Sequence, residues 1–420
     1  MKNRVVHQPP NIANLFGVRF SSALEQESLP DDVLQLLSQP QKVTHISIPL
    51  KMDNGETQIF SSWRLNFANP FGPSKGGIRF HPEVNQQNLE LLAARILVKC
   101  AFNNLPHGGA AGGIAVDPKA LSVGELERLA RAYATAYADL LGSDKDILSP
   151  DLGTDAIVMG WMADQLSQIN KRFDHGAVNG KPVALGGVPG RKMATASGAL
   201  AVLDIVCPDL GMDMKKATFA IQGFGAAGAS LATSLSDLGA KVVAISDTSG
   251  GWYSPAGLNV AALQEHKVQS GAIASAGVVG AEHIAPDAVL EVPADIVVAA
   301  ACGGAINMGN AARLQCKMVV EIANAAVSND ADELLGSRGI SVMPDIAVNA
   351  GGITVSHFEW SQGRSGLQME EADVINRLNR RMRSTTEQLL KIAHKTKSPL
   401  TVAAQLMAIE RLRLAFKTRI

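Results

Sequence analysis

Two lysines and one aspartate, each set among glycines or apolar residues, are the side chains of this sequence best suited to chemistry. Lys75 stands in the run PSKGGIRFHP at residues 73–82, Lys99 lies near the end of an apolar helical pattern, and Asp151 stands in SPDLGT. A cation in such a setting can bind a carboxylate with a charge-assisted hydrogen bond, and glycine lets the backbone approach a ligand closely. These residues therefore predict a pocket for a small anionic molecule.

Spacing alone leaves a second interpretation open for each of these side chains. Lys99 could instead extend its ammonium group to water from an otherwise apolar helix face. Asp151 lies just before a predicted helix, where the helix dipole favours a carboxylate, and an aspartate there is most often only a cap. A lysine in a loop, such as Lys75, is commonly solvated.

Helical and strand patterns position these residues in the first part of the chain. Ser122 and Glu125 form a capping-box pattern at the start of one helix. The predicted elements are a helix at Asp31–Leu37, strands at Lys42–Pro49 and Gln58–Asn66, and helices at Pro82–Phe102, from Ser122 to Gly142 and from Thr154 to Asn170.

A dinucleotide-binding pattern follows in the second part of the chain. A short buried strand at Ala217–Gln222 leads into a glycine-rich turn and a helix, and the next strand, Lys241–Ser246, ends at Asp247. In this pattern the first glycine makes the turn, the second admits the pyrophosphate and the third allows close helix packing. The helix N-terminus supplies amide donors for phosphate. The predicted cofactor-binding residues of this turn are Gly223, Phe224, Gly225, Ala226, Ala227 and Gly228.

The remaining elements predict an α/β fold of two domains. Residues 1–188 form an N-terminal α/β domain for substrate binding and oligomerisation, residues 189–348 form a Rossmann-type domain, and helices within 349–420 return to the first domain. The other predicted elements are helices at Lys192–Val206, Ile353–Gln362, Glu370–His394 and Thr401–Lys417, and parallel strands at Asp295–Ala300, Lys317–Ile322 and Ile340–Met343.

Composition excludes several classes of partner. Charged residues make up 18% of the 420 residues and the net charge is −1, so the sequence predicts no binding to nucleic acid or to an anionic membrane. No apolar run reaches the roughly 20 residues of a membrane span. Pro9 and Pro10, without an apolar run beside them, argue against a targeting signal, and we expect a cytoplasmic protein. The four cysteines show no metal spacing and read as reduced core thiols.

The motifs, in this order and spacing, resemble those of the Glu/Leu/Phe/Val amino-acid dehydrogenases, and among these the members that act on glutamate. The resemblance adds the run LPHGGAAGG at residues 105–113 and covers the chain from about Ile46 to the C-terminal helices. It implies reversible oxidative deamination of L-glutamate to 2-oxoglutarate and ammonia with a nicotinamide cofactor. It also implies a homohexamer that assembles through the first domain, where the strands Lys42–Pro49 and Gln58–Asn66 offer an edge.

The resemblance also implies roles for individual residues. Lys99 would anchor the α-carboxylate, and Lys75 with Ser356 would hold the distal carboxylate of glutamate. Asp151 would move protons, and Asn349 would lie where substrate and nicotinamide meet. The further cofactor contacts implied are Thr195 and Asn324. We expect NAD rather than NADP because Asp247 can accept hydrogen bonds from a ribose 2′-hydroxyl and repel a 2′-phosphate, although NADP remains possible.

One position departs from the family pattern. Where the family's glycine-rich loop carries its catalytic lysine, this sequence has Ala111. Three interpretations stay open: an enzyme crippled by a deliberate change, a natural non-catalytic paralogue that binds nucleotide or amino acid as a regulatory subunit, or an active enzyme with shifted chemistry. His107, the only other titratable group in that loop, is a weak candidate for a substitute base.

Overall fold

The computed structural model describes residues 12–417, which form two compact units. The first comprises the chain up to Arg191 together with Ile353–Val374 and the C-terminal segment from Gln405. The second comprises Lys192–Gly352 and Ile375–Ala404. The C-terminal part of the chain is therefore divided between the two units. Residues 375–404, which the sequence predicts to return to the first domain, group with the second unit. Pro9 and Pro10 lie outside the described residues.

The first unit is built on a five-stranded sheet with the strand order β1-β2-β4-β3-β5. Its strands are β1 (Lys42–Lys51), β2 (Thr57–Asn66), β3 (Ser74–Phe80), β4 (Gly108–Ile114) and β5 (Asp146–Pro150). Its helices up to residue 170 are α1 (Ile12–Phe16), α2 (Val18–Gln26), α3 (Asp31–Leu37), α4 (Gln86–Phe102), α5 (Val123–Ala136) and α6 (Ala156–Asn170).

The helices α5 and α6 cover one face of this sheet with a shared apolar core. Leu129 and Tyr133 of α5 pack in one cluster with Met159 of α6 and with Ile78 and Phe80 of β3. The capping box predicted at the start of α5 is present, since the Ser122 and Glu125 side chains each accept the other's backbone N–H. The helix ends at Ala136 rather than at the predicted Gly142. The apolar cluster under α5 and α6 also includes Leu148 of β5, so it holds both β3 and β5 in place.

The second unit is built on a seven-stranded sheet with the order β12-β11-β10-β6-β7-β8-β9. Five strands are parallel, as predicted, but β8 and β9 pair antiparallel at one edge. Its strands are β6 (Thr218–Gln222), β7 (Lys241–Asp247), β8 (Gly250–Tyr253), β9 (Glu282–Ile284), β10 (Ile296–Ala299), β11 (Met318–Glu321) and β12 (Ser341–Met343). Its helices up to residue 348 are α7 (Ala194–Asp209), α8 (Ala226–Asp237), α9 (Val260–Ser270), α10 (Asn329–Ser337) and α11 (Asp345–Val348).

Three long helices complete the chain. They are α12 (Gly351–Ser365), α13 (Glu371–Thr396) and α14 (Leu400–Lys417). Within the part of the chain that the structure describes, no helix is both long and apolar enough to span a membrane.

The expectation of four core thiols is wrong for Cys302, which is exposed, whereas Cys100 and Cys207 are buried.

Of the two strands predicted to offer a pairing edge in the first unit, only one lies at an edge of its sheet. β1 lies at the edge of the sheet, while β2 pairs with β1 on one side and with β4 on the other. The backbone groups of β2 are therefore satisfied within the sheet, and β1 alone of these two strands can pair with another chain.

Candidate active site

The glycine-rich stretch predicted as a loop is in fact β4, a fully buried central strand. Close packing explains its glycines. A side chain at Gly109 would lie 2.2 Å from the Ala93 carbonyl oxygen of α4, and one at Gly112 would lie 2.4 Å from the Tyr133 hydroxyl. Each distance is too short for a real contact. The glycines of β4 therefore allow α4 and α5 to pack directly against the two faces of the strand.

Ala111 and Asp151 both lie close to Gly77 of β3. The parallel register pairs Lys75 with Gly109 and Ile78 with Gly112, so Ala111 lies opposite Gly77 of β3. On the other side of β3, a Cβ at Gly77 would lie 2.7 Å from the Asp151 Cβ. Because neighbouring strands are about 4.8 Å apart, a long side chain at position 111 could extend over Gly77 towards Asp151. Ala111 itself is 2% exposed and carries no such group.

Asp151 is not a helix cap. The cap of α6 is Asp155, whose side chain accepts a hydrogen bond from the Val158 N–H at 3.0 Å. The Asp151 carboxylate instead accepts from Arg79 Nε at 2.6 Å and its side chain remains 33% exposed. A partly open carboxylate beside an arginine can bind a polar ligand or exchange a proton with it.

Lys75 and Ser356 meet around a third residue that sequence reasoning missed. The Lys75 ammonium donates to Asn179 Oδ1, and Ser356 Oγ lies 3.3 Å from the same oxygen. All three side chains are almost completely buried. Asn179 stands alone in the sequence and belongs to no motif, so only the long-range contact could identify it.

A buried carboxylate holds the segment that carries Asn179. Glu359 of α12 accepts from the Gly180 N–H at 2.8 Å and from Lys181 Nζ at 3.0 Å, and Arg191 Nη1 approaches it at 3.5 Å. This last pair is an ion pair without hydrogen-bond geometry, since Arg191 Nη1 is buried with no hydrogen-bond partner. Arg191 is the second site residue that the sequence did not reveal.

Two other cations, Arg191 and Arg64, act on Lys75 together with the buried Glu359 carboxylate. Burial, and next the positive charge of Arg191, lower the pKa of Lys75 to about 7. Burial also lowers the pKa of Arg191, against the attraction of Glu359. Lys75 and Arg191 are thus two cations whose charges oppose each other. An anion bound beside them would relieve this repulsion.

Lys99 and His107 both precede β4 in the sequence, and both are buried. Lys99 is 7% exposed near the end of α4, so it does not extend to water as a surface lysine would. His107 is buried, and Nε2 lies 3.1 Å from His357 Nδ1. Burial, and next the charge of Lys75, lower the pKa of His107 to about 2. Such a weak base does not replace a catalytic lysine at neutral pH.

In the second unit, the glycine-rich turn between β6 and α8 has the geometry that its sequence predicts. Gly223 has a φ of 97°, which favours glycine, and a Cβ on Gly228 would lie 1.9 Å from the Gly223 carbonyl oxygen. A Cβ on Gly225 would meet no atom within 4 Å, so open space lies in front of this residue. The turn therefore fits a dinucleotide phosphate at the N-terminus of α8.

Asp247 ends β7, as predicted, and is already paired. Its carboxylate accepts from Lys267 Nζ at 2.7 Å and from the Ser249 N–H at 2.8 Å. Burial opposes ionisation, but these hydrogen bonds from Lys267 and Ser249 outweigh it and lower the pKa of Asp247. The carboxylate is therefore an acceptor at neutral pH, with a cation beside it.

Asn349, directly after α11, and Asn324, in the turn that follows β11, lie together in the second unit. Asn349 Nδ2 donates to Asn324 Oδ1 at 3.0 Å and to the Ile322 carbonyl at 3.0 Å. Thr195 lies in the first turn of α7 and approaches α12, since a Cβ on Gly352 would lie 3.6 Å from Thr195 Oγ1. The predicted cofactor contacts Thr195, Asn324 and Asn349 thus have defined positions in the second unit.

The chain is similar to known proteins over nearly its whole length. Residues 40–168 match the dimerisation domain of the Glu/Leu/Phe/Val dehydrogenases, and residues 186–419 match the Glutamate/Leucine/Phenylalanine/Valine dehydrogenase domain. The catabolic NAD-specific glutamate dehydrogenase RocG of Bacillus subtilis is 39% identical over 93% of this chain and 91% of its own length. The NADP-specific glutamate dehydrogenase of Synechocystis is 39% identical over 94% of each chain.

A solved structure extends this similarity to the fold. A chain of the hetero-hexameric glutamate dehydrogenase from Thermus thermophilus, in its leucine-bound form, superposes with a TM-score of 0.92 and 35% identity, and the match covers 99% of both chains. Both family domains, the two-unit α/β fold and the sequence identity across the chain agree. The chain therefore belongs to the Glu/Leu/Phe/Val dehydrogenase family.

Proposed function

We propose that this chain is a glutamate dehydrogenase-type protein that binds a nicotinamide dinucleotide and glutamate or 2-oxoglutarate but turns them over very slowly. The observation that carries this proposal is the cluster of buried donors around Lys75, on the strand next to the one that carries Ala111. The cluster provides for an anionic ligand, whereas the proton-transferring lysine of the family is missing. The relatives named glutamate dehydrogenases, at 39% identity, support the substrate class.

Each residue has a role in this proposal. Lys75, Ser356 and Arg191 hold the distal carboxylate, and Lys99 holds the α-carboxylate. Asp151 exchanges protons with the amine or with the attacking water. A nicotinamide dinucleotide held by the glycine-rich turn from Gly223 to Gly228 would supply the acceptor for the hydride of the α-carbon. Position 111 would carry the second proton-transferring group, and its methyl group can do no such work.

The direct experiment is a rate assay with 2-oxoglutarate, ammonia and each reduced cofactor, combined with equilibrium binding of the same ligands. Binding with a turnover at least about 10²-fold below that of a lysine-bearing relative supports the proposal. Turnover equal to that of such a relative would show that the chemistry does not need the lysine and would refute it.

Lys75→Leu is expected to reverse the ligand preference. In the unchanged chain, glutamate and 2-oxoglutarate should bind better than leucine and its keto acid. Loss of the cation leaves the distal carboxylate without its charged partner, at about 1.5–3 kcal/mol, or roughly 10- to 100-fold in affinity. Calorimetric titration measures both ligands, and Lys119→Leu, an exposed lysine of the same unit, is the control. Equal affinity of the unchanged chain for leucine and glutamate would contradict this assignment.

Binding of 2-oxoglutarate is expected to weaken above neutral pH. The free Lys75 has a pKa of about 7, so its ammonium is present below that value and is lost as the pH rises. A bound carboxylate favours the charged form and raises this pKa, so affinity should fall by up to about tenfold per pH unit above 7. Titrations from pH 6 to pH 8.5 test this. The same titration with 2-oxopentanoate, which lacks the distal carboxylate, should show a much flatter dependence.

We propose NAD as the preferred cofactor. Asp247 is an ionised acceptor at the end of β7, where the ribose 2′-hydroxyl is expected, and it would repel a 2′-phosphate. Lys267, bound to this carboxylate, reduces that repulsion, so we expect a preference of about tenfold and not an absolute one. Titration with both oxidised cofactors measures the ratio, and tighter binding of NADP would refute this choice.

A second candidate function is that of a non-catalytic subunit in a mixed hexamer. The observation that favours it is the similarity to a chain of a hetero-hexameric enzyme over 99% of both chains, together with the missing lysine. β1, at the open edge of the first sheet, offers a surface for pairing between subunits. Light scattering on the chain alone and after co-expression with a lysine-bearing family member distinguishes a homohexamer from a mixed one. A monomer in both samples would exclude assembly through this edge.

A further inference from the structure

Asn179 already forms hydrogen bonds with both Lys75 and Ser356, the two residues proposed to bind the distal carboxylate of the ligand. Because an ammonium group can only donate, the atom that faces Lys75 Nζ must be the amide oxygen of Asn179. Ser356 Oγ lies 3.3 Å from that same oxygen. One oxygen atom of the protein thus occupies the point within hydrogen-bond reach of both groups that should bind the ligand.

A ligand carboxylate oxygen that accepts from both Lys75 and Ser356 needs the single hydroxyl proton of Ser356, which in this structure is directed at Asn179 Oδ1. Lys75 has three N–H donors, and Asn179 Oδ1 accepts from one of them, so the ammonium can also donate to a second acceptor. The amide oxygen and the ligand carboxylate therefore compete for the Ser356 proton, and the amide must release it before the ligand can pair with both groups. The net affinity is the difference between the two sets of hydrogen bonds, not the full strength of the new set.

The nitrogen end of the Asn179 amide argues against a purely structural role for the Lys75–Asn179 hydrogen bond. Asn179 Nδ2 is buried without a hydrogen-bond partner, so the side chain is held through its oxygen alone. An amide that served only to stabilise the fold would be expected to satisfy both ends when buried. The Asn179 backbone is fixed independently, since its N–H donates to the Leu148 carbonyl at 2.8 Å. The side chain can therefore be exchanged while the backbone pairing remains.

We propose that Asn179 is a specificity-determining residue whose amide oxygen acts as a built-in competitor for the distal carboxylate of the ligand. It lowers the preference for dicarboxylates over ligands of the same length that end in a methyl group. The inference rests on the proposed function, because it assumes that Lys75 and Ser356 bind that carboxylate.

Three variants test the inference, with 2-oxoglutarate and 2-oxopentanoate as the paired probes. In Asn179→Ala the competing oxygen is gone, so 2-oxoglutarate should bind roughly tenfold tighter or more, while 2-oxopentanoate should change by less than about twofold. Asn179→Ser, which keeps a small polar group, serves if the alanine variant folds poorly. In Asn179→Asp a permanent carboxylate pairs with Lys75, and 2-oxoglutarate should lose at least about tenfold. Cofactor binding and the unfolding temperature report that each variant is intact.

The possible outcomes separate this inference from the proposed function. Selective weakening of 2-oxoglutarate in Asn179→Ala would show that the amide is a direct ligand, and equal changes for both probes would show a packing role. Either result, with the effect of Lys75→Leu intact, overturns the competitor and leaves the proposed function standing. If neither keto acid binds any variant while the cofactor does, both proposals fail. A selective gain in Asn179→Ala supports both.

Discussion

Ala111→Lys is expected to raise the rate of 2-oxoglutarate reduction by about 10²–10⁴-fold, because general acid–base catalysis by one positioned group contributes that much. A lysine at this position would extend from β4 over Gly77, which has no side chain, towards Asp151 on the far side of β3. Burial and the nearby cations would lower the pKa of such a lysine and allow it to exchange protons near neutral pH. The measurement is the change in absorbance of the reduced nicotinamide.

Ala111→Met is the matched control for this prediction. Methionine has a similar length and fits a buried site but carries neither charge nor proton. We expect it to leave the low rate unchanged while ligand binding persists. If the lysine and methionine variants turn over equally slowly, the site has diverged at further positions, and the non-catalytic subunit becomes the better proposal.

Arg64→Met is expected to destabilise the protein by about 3–5 kcal/mol, because it removes one partner of a buried ion pair. Arg64 is fully buried and donates to Asp146 through Nε at 2.7 Å and through Nη2. It also reaches the carbonyls of Gly76 and Gly77 at 3.4 Å, and so connects β3, which carries Lys75, with β5, which Asp151 follows. Burial opposes its charge, but Asp146 outweighs this and raises the pKa of Arg64.

Two comparisons make the stability prediction specific. Arg128→Met removes an exposed ion pair with Asp53, whose side chain is 55% exposed, and should cost less than about 1 kcal/mol. Arg64→Met combined with Asp146→Asn should recover part of the loss, because no uncompensated charge then remains buried. Urea denaturation followed by circular dichroism measures all four proteins. Equal midpoints for Arg64→Met and Arg128→Met would contradict the role assigned to the buried pair.

The second unit could be predicted from the sequence in detail. The strand, glycine turn, helix, strand and acidic residue follow a pattern in which each feature has a local cause, and the structure has them at Thr218–Gln222 through Asp247. Gly223 and Gly228 adopt the roles expected of them, a positive φ and a close approach. Local signals suffice here because the phosphate-binding turn is formed by consecutive residues.

The first unit was harder to predict because its decisive contacts are long-range. The sequence predicts a loop at β4, since the first six residues of the strand are glycine or alanine, which have low strand propensity. The strand forms because it pairs with β2 and β3. Its glycines are needed because α4 and α5 pack so closely against it that side chains would not fit. Likewise, the Lys75–Asn179 contact spans 104 positions, and no spacing rule connects the two residues. In the second unit, the sequence does not predict the edge strands β8 and β9, because these strands are only four and three residues long.

The most direct test of the central claim is calorimetric titration of 2-oxoglutarate into the unchanged chain saturated with reduced nicotinamide, with turnover measured on the same sample. The claim is that binding persists where catalysis does not. It predicts a saturable heat at neutral pH, lost in Lys75→Leu, and a rate at least about 10²-fold below that of Ala111→Lys. No binding of 2-oxoglutarate by a sample that binds the cofactor would contradict the claim.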